Sequence, residues 1–201
     1  MGTEFSLANI TKTSMPHSPT ETEIKLAVPD VRTARKLLHA AGLAVSRRRV
    51  FESNVMFDTP RLTLRRTSTL LRLRQAGGLI TVTYKGKPAA VAKYKSREEL
   101  ELEVADASRM GAIFERLGYH PAFTYEKYRT EYRLERGAGM ATLDETPIGI
   151  FLELEGAPAW IDRIARRMGF AEQDYITASY ARLYLDWCRK KRVRPANMVF
   201  G

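Results

Sequence analysis

The chain has a single cysteine, Cys188, and only three histidines, His17, His39 and His120, scattered along its length. A disulfide framework needs cysteines in pairs and a zinc site needs Cys or His at close spacing, so both are excluded. Any metal must be held by carboxylates, and oxygen-only ligation selects a hard cation, magnesium or manganese, ahead of zinc or copper. No apolar run approaches the roughly 18 residues of a membrane span. The N-terminus lacks the basic-then-apolar order of a secretory signal, so a cytoplasmic protein without a membrane partner is expected. No Ser or Cys stands in a nucleophile elbow, and "YKGKPAA" has neither the spacing nor the Ser/Thr of a phosphate-binding P-loop.

What the chain has in quantity is charge. Its 33 Lys and Arg against 23 Asp and Glu give a net charge of +10, which first suggests nucleic acid. Much of the excess is local, because "RKKRVRPANMVFG" from Arg189 onward carries bases and no acid. Residues 189–201 read as a solvated basic tail, with an arm for RNA or an acidic partner as the competing reading, and nucleic acid is not the expected partner. Residues 1–20, rich in Ser and Thr and without periodicity, read as a disordered N-terminal tail. Between them, residues 21–188 form one domain, in keeping with a chain of 201 residues that is 44% hydrophobic.

Within that domain the spacing predicts eight strands and four helices. "ETEIK" opens as a strand, and "VRTARKLLHAAG" follows with apolar residues at helical spacing. Strands are expected at "VFESNVMFD", at "TLLRLRQ" and "LITVTYKG" joined by a turn at Gly77-Gly78, and at "SREELELEV". A helix at "ASRMGAIFERLG", strands at "FTYEKYRTEYRLE", "MATLDE" and "GIFLELEG", and helices over 159–169 and 176–188 complete the series.

Side chains alternate between the two faces of a strand, and here the alternation separates charge from apolar surface. Glu21, Glu23 and Lys25 lie opposite Ile24 and Leu26; Arg72 and Arg74 opposite Leu71 and Leu73; Lys85 opposite Val82 and Tyr84. Arg97, Glu99, Glu101 and Glu103 lie opposite Leu100 and Leu102, Lys127 shares a face with Arg129, Asp144 lies opposite Leu143, and Glu153 and Glu155 opposite Leu152 and Leu154. The amphipathic helices need apolar surface to cover, so they belong on the apolar faces. The charged faces then point away from the helices. Their residues are almost all ionised and of both signs, which favours a closed barrel whose lining pairs its own charges over an open solvated sheet. The expected fold is α+β, an eight-stranded antiparallel β-barrel with helices packed on its outer face.

Clustered carboxylates bind divalent cations, and Arg and Lys bind phosphate oxygens. Both in one water-poor tunnel suit a metal-chelated polyphosphate, and the number of bases suits a triphosphate. The ordered set "ETEIK", "NVMFDTP", "LRLR", "YKG", "REELE", "EKYR", "TLDE" and "FLELEG" resembles the CYTH family, the triphosphate tunnel metalloenzymes, over roughly residues 21–187. The resemblance implies an eight-stranded tunnel that binds triphosphates with Mg2+ or Mn2+. It assigns Glu21, Glu23, Asp144, Glu153 and Glu155 to metal and Lys25, Arg72, Arg74, Lys85, Lys127 and Arg129 to phosphate. Direct displacement at phosphorus follows, with Lys25, Glu99, Glu101 and Asp144 as candidate catalytic residues; which of Glu99, Glu101 and Glu103 belongs to the site is left open by the register. The expected partner is a small triphosphate-containing molecule, and the expected activity is its hydrolysis. A class IV adenylyl cyclase making cyclic AMP and pyrophosphate is the first alternative, and a non-catalytic polyphosphate or nucleotide-binding module the second. The five tyrosines Tyr125, Tyr128, Tyr132, Tyr180 and Tyr184 read as core or rim aromatics. Nothing in the sequence sets the oligomeric state.

Overall fold

The computed structural model describes residues 20–89 and 93–201; the N-terminal tail expected over residues 1–20 lies, but for Thr20, outside the described residues. The strands are β1 (Thr20–Val28), β2 (Ala44–Asp58), β3 (Leu70–Ala76), β4 (Leu79–Lys85), β5 (Lys95–Glu103), β6 (His120–Arg133), β7 (Met140–Thr146) and β8 (Gly149–Glu155). The helices are α1 (Val31–Ala40), α2 (Thr63–Arg66), α3 (Ala107–Arg116), α4 (Pro158–Arg167) and α5 (Tyr180–Lys191). The strands close into a barrel in the order β1-β5-β4-β3-β2-β6-β7-β8, and every pairing is antiparallel.

Alternation decides what goes inside. Ile24, Leu26, Leu143, Leu152 and Leu154 point outward from β1, β7 and β8 and are fully buried beneath Leu38 of α1 and Ile161 and Ile164 of α4. Full burial of each such side chain contributes about 1.5–3 kcal/mol. A smaller cluster seats Phe114 of α3 on Phe57 and Leu73, covering β2 and β3. Capping follows local chemistry: Asp30 and Asp106 accept from the main chain of Thr33 and Arg109 at the starts of α1 and α3. The β3–β4 hairpin turns at Gly77 and Gly78, both at positive φ.

Three features differ from the expected outline. The first is α2, a single turn whose short run "TLRR" gives no periodic signal; Asp58 organises it by accepting from the main chain of Thr59, Leu64 and Arg65. The second is α5, which starts at Tyr180 rather than at 176, because Ile176 exchanges two main-chain hydrogen bonds with Lys25 and stays extended. This helix also lies apart from the outer faces: Tyr180, Tyr184 and Cys188 pack on Tyr125 and Phe151, which belong to the lumen faces of β6 and β8, so α5 covers one end of the tunnel.

The third is the C-terminal segment. Residues 189–201 keep their charges in solvent but the chain itself is docked, which corrects the reading as a free tail. Met198 is buried and bridges Tyr125 in parallel, the main chain of Glu126 donates to its carbonyl at 2.9 Å, and Asn197 accepts from the main chain of Thr124.

Candidate functional site

The barrel encloses a cavity of about 1450 Å³, lined by residues of all eight strands and by residues 177–182 of the α5 approach. Strand pairing sets the order of charge around it. Glu23 faces Lys95 on β5 and Glu155 on β8, Lys25 faces Glu153, Arg129 faces Asp144, Lys127 faces Glu52, and Lys85 faces Glu99. The sequence-derived bases Lys25, Arg72, Arg74, Lys85, Lys127 and Arg129 therefore share the tunnel with Glu21, Glu23, Glu99, Glu101, Glu153 and Glu155.

These groups neutralise one another. Lys25 Nζ lies 3.3 Å from Glu23 and 3.1 Å from Glu153, and Lys95 Nζ lies 2.8 Å from Glu23. Arg129 pairs with both Asp144 and Glu153, and Lys85 with Glu99 and Glu21. Arg72 and Arg74 both reach Glu101 at 3.4 Å, and Thr83 donates to the same carboxylate at 2.7 Å. Burial works against Glu153 as an anion, but Lys25, Arg129 and Lys127 outweigh it and hold the carboxyl well below its ordinary range. Glu23 is likewise lowered, by Lys25 and Lys95 against burial.

Asp144 has no exposed surface. Its Oδ1 accepts from Arg129 Nε at 2.7 Å, and its Oδ2 accepts from Lys127 Nζ at 2.9 Å, Arg129 Nη2 at 2.6 Å and Tyr180 Oη at 2.7 Å. With its oxygens so engaged, Asp144 acts here as the counter-ion of two bases. The oxygens expected to serve a metal ion or the chemistry are thus engaged by Lys127, Arg129 and Tyr180.

Among the described residues, no three His, Cys, Asp or Glu side chains converge on one point to hold a metal ion, so the expected five-acid set is not preassembled. The donor chemistry still fits a hard cation. Glu155 makes no ion pair among the described residues, and burial together with the charges of Glu153 and Glu23 raises its pKa. A divalent cation beside Glu23, Glu153 and Glu155 would relieve that repulsion. Glu99 is also raised, by burial and by its contact with Glu21, despite its pairing with Lys85.

Several functional candidates escape the sequence reading. Lys95 and Arg97 line the same cavity. The side chain of Arg97 makes no hydrogen bond or ion pair among the described residues, and burial lowers its pKa against the pull of Glu23, Glu99 and Glu21. Glu52 faces Lys127, which lies 3.5 Å away, and its carboxyl is lowered to about 2 by Lys127 and Arg129 despite burial. Tyr180 was legible only as an aromatic at helical spacing. In the fold its ring lies 5.2 Å from Lys25 Nζ and 5.3 Å from Lys127 Nζ.

A closed barrel with this lining has a counterpart among known families, and the CYTH domain profile matches residues 19–180. The chain is a member of the CYTH family. CYTH proteins act on triphosphates with divalent metals and include triphosphatases and proteins named as adenylate cyclases. A Methanocaldococcus jannaschii protein named as a candidate adenylate cyclase is 32% identical over 136 residues, 67% of this chain and 75% of that one. The PH1819 protein of Pyrococcus horikoshii shares the fold at a TM-score of 0.71 with 25% identity, covering 83% of this chain and 98% of that one. A Hippeastrum protein named as an adenylyl cyclase, described as having a dominant triphosphatase activity, superposes at a TM-score of 0.61 with 20% identity, covering 87% of this chain and 98% of that one. No helix among the described residues of this CYTH protein is long and apolar enough to cross a membrane.

Proposed function

We propose that this protein hydrolyses a triphosphate, inorganic or organic, inside the tunnel. The observation that carries the reading is the mutual neutralisation of the lining, in which the Arg97 side chain alone among the strand-borne bases makes no ion pair among the described residues. Such a network would accept a metal–triphosphate complex at little electrostatic penalty, because its bases can turn from their acids to phosphate oxygens and its acids would then be free to hold the cation.

Arg72, Arg74 and Arg97 present planar donors to phosphate oxygens, and Lys25, Lys85, Lys95, Lys127 and Arg129 add further positive charge along the bore. Glu21, Glu23, Glu153 and Glu155 are the residues that would hold Mg2+ or Mn2+, which supplies charge neutralisation and orientation of the phosphates. Lys25 is shared between Glu23 and Glu153, and with those carboxylates holding the cation it would be free to stabilise charge on the transferred phosphoryl group. Glu99, which lines the bore beside Lys85, would as its carboxylate accept the proton of an attacking water. Attack at the terminal phosphorus forms one P–O bond and breaks the bridging one, and the leaving oxyanion remains among the bases.

Cyclisation is the second reading, favoured by the name of the 32% identical relative. It differs in the attacking oxygen, a ribose 3′-hydroxyl in place of water, and in the atom attacked, the α-phosphorus, so that pyrophosphate rather than the terminal phosphoryl group is split off. A screen of orthophosphate and pyrophosphate release over tripolyphosphate, thiamine triphosphate, ATP and GTP with each metal tests both. Hydrolysis yields orthophosphate, with pyrophosphate as co-product from tripolyphosphate, and is abolished by EDTA; cyclic AMP with stoichiometric pyrophosphate selects the second reading. Turnover that persists without metal refutes the assignment of the acids.

A further inference from the structure

The segment that leads into α5 is tied to the tunnel at two points. Ile176 holds the main chain of Lys25 by two hydrogen bonds, Lys25 N to Ile176 O at 2.8 Å and Ile176 N to Lys25 O at 2.9 Å. This happens just past Glu23, the last β1 residue paired with β5. Tyr180 then enters the lumen, only 6% exposed, and its hydroxyl donates to Asp144 Oδ2 at 2.7 Å while its ring faces the ammonium groups of Lys25 and Lys127. One side chain therefore touches β1, β6 and β7 from inside the barrel.

The placement bears on how the bases become available. Lys127 and Arg129 are both bonded to Asp144. For either to grip a phosphate oxygen it must turn from that carboxylate, which is then left in a water-poor site with fewer donors, a costly condition. A phenol is neutral and gains no ion pair by following the bases to the phosphate, so its hydrogen bond to Asp144 stays in place when they leave.

We propose that Tyr180 is a positioning residue that keeps Asp144 solvated while Lys127 and Arg129 pass from that carboxylate to the oxygens of the bound triphosphate. The inference rests on the triphosphate reading of the tunnel. A purely structural tyrosine would need only its ring, which packs against Phe151 and Tyr125 at centroid distances of 5.6 and 6.2 Å, and phenylalanine would satisfy those contacts equally.

Tyr180→Phe keeps every ring contact and removes only the donor. Calorimetric titration of the metal-free protein with inorganic tripolyphosphate should show the dissociation constant rising roughly tenfold, the scale of one hydrogen bond to a charged group. In turnover assays KM should rise to a similar extent while kcat moves less than about threefold. In an Asp144→Asn background, where no anion is left to stabilise, the same substitution should have little further effect, a non-additivity that a packing role does not produce. Wild-type affinity in Tyr180→Phe, or an equal loss in both backgrounds, would overturn the inference while leaving the triphosphate reading intact. A wild-type protein that binds neither tripolyphosphate nor ATP, with or without Mg2+, would overturn both.

Discussion

Replacing Asp144 by asparagine separates the charge of this residue from its shape. The new amide would retain an accepting oxygen for Tyr180 or Arg129, but Lys127, 3% exposed at its side chain, would keep only the Glu52 contact at 3.5 Å, and Arg129 only Glu153. Removing one member of a buried ion pair typically destabilises by about 3–5 kcal/mol, and the surviving partners place this case at the lower end, about 3 kcal/mol. Each kcal/mol shifts Tm by roughly 2–4 °C for a domain of this size, so the empty protein should melt roughly 6–12 °C lower. The two bases at the same time lose their main competitor for phosphate. Tripolyphosphate in EDTA should therefore bind the variant more tightly than the wild type and raise its Tm by more at equal concentration, following RT ln(1 + [L]/Kd). Differential scanning calorimetry with and without tripolyphosphate reads both shifts. A variant that melts with the wild type, or that loses affinity for tripolyphosphate in EDTA, would refute the assignment of Asp144 as a counter-ion.

Arg97→Ala should weaken triphosphate binding by about 1.5–3 kcal/mol, as for one lost charge-assisted hydrogen bond, without lowering Tm, because Arg97 is desolvated and has no ion pair among the described residues; a lower Tm with unchanged affinity would make it structural. The third test is pH. Lys95 is lowered to about 8 by burial, and by Lys25 and Arg97, against the pull of Glu23. As pH rises through about 8 the empty tunnel loses this positive charge, so kcat/KM should fall on the alkaline side with an apparent pKa near that value. The depressed pKa disfavours folding at lower pH and this is relieved between about 8 and 10.5, so Lys95 adds no alkaline loss of Tm. Lys95→Arg, which stays charged, should move the limb upward; an unmoved limb would assign it to another group.

The closed barrel was legible because seven of the strands repeat the same separation of charged from apolar side chains, and because the apolar faces are the surface that helices can cover. The positions of the long elements follow from that alternation and from Asp30, Asp106 and the Gly77-Gly78 turn. Residues whose role depends on a partner distant in sequence were not legible. Tyr180 looks like any core aromatic until α5 folds across the tunnel end, and Asp144 looks like a ligand until Lys127, Arg129 and Tyr180 surround it. Arg97 was visible on the charged face of β5, but only three-dimensional pairing shows that the acids around it are engaged elsewhere. The docking of Met198 against β6 lacks any local signal, since a basic segment with one methionine reads as solvated.

Closure of the barrel also limits how this chain can change over evolutionary time. Deleting one residue from β3 would carry Arg72 and Arg74 to the helix side and place Leu71 and Leu73 in the bore. An open sheet can displace such an error past its last strand, but here each strand is held by neighbours on both sides. The long β2–β6 pair alone shows register irregularities, between Val45 and Arg47, Arg47 and Val50, and Met56 and Phe57. Length variation among descendants of this gene should therefore collect in the connections 59–69, 86–94 and 134–139, while single-codon losses inside the shorter strands would be purged together with the charges they invert.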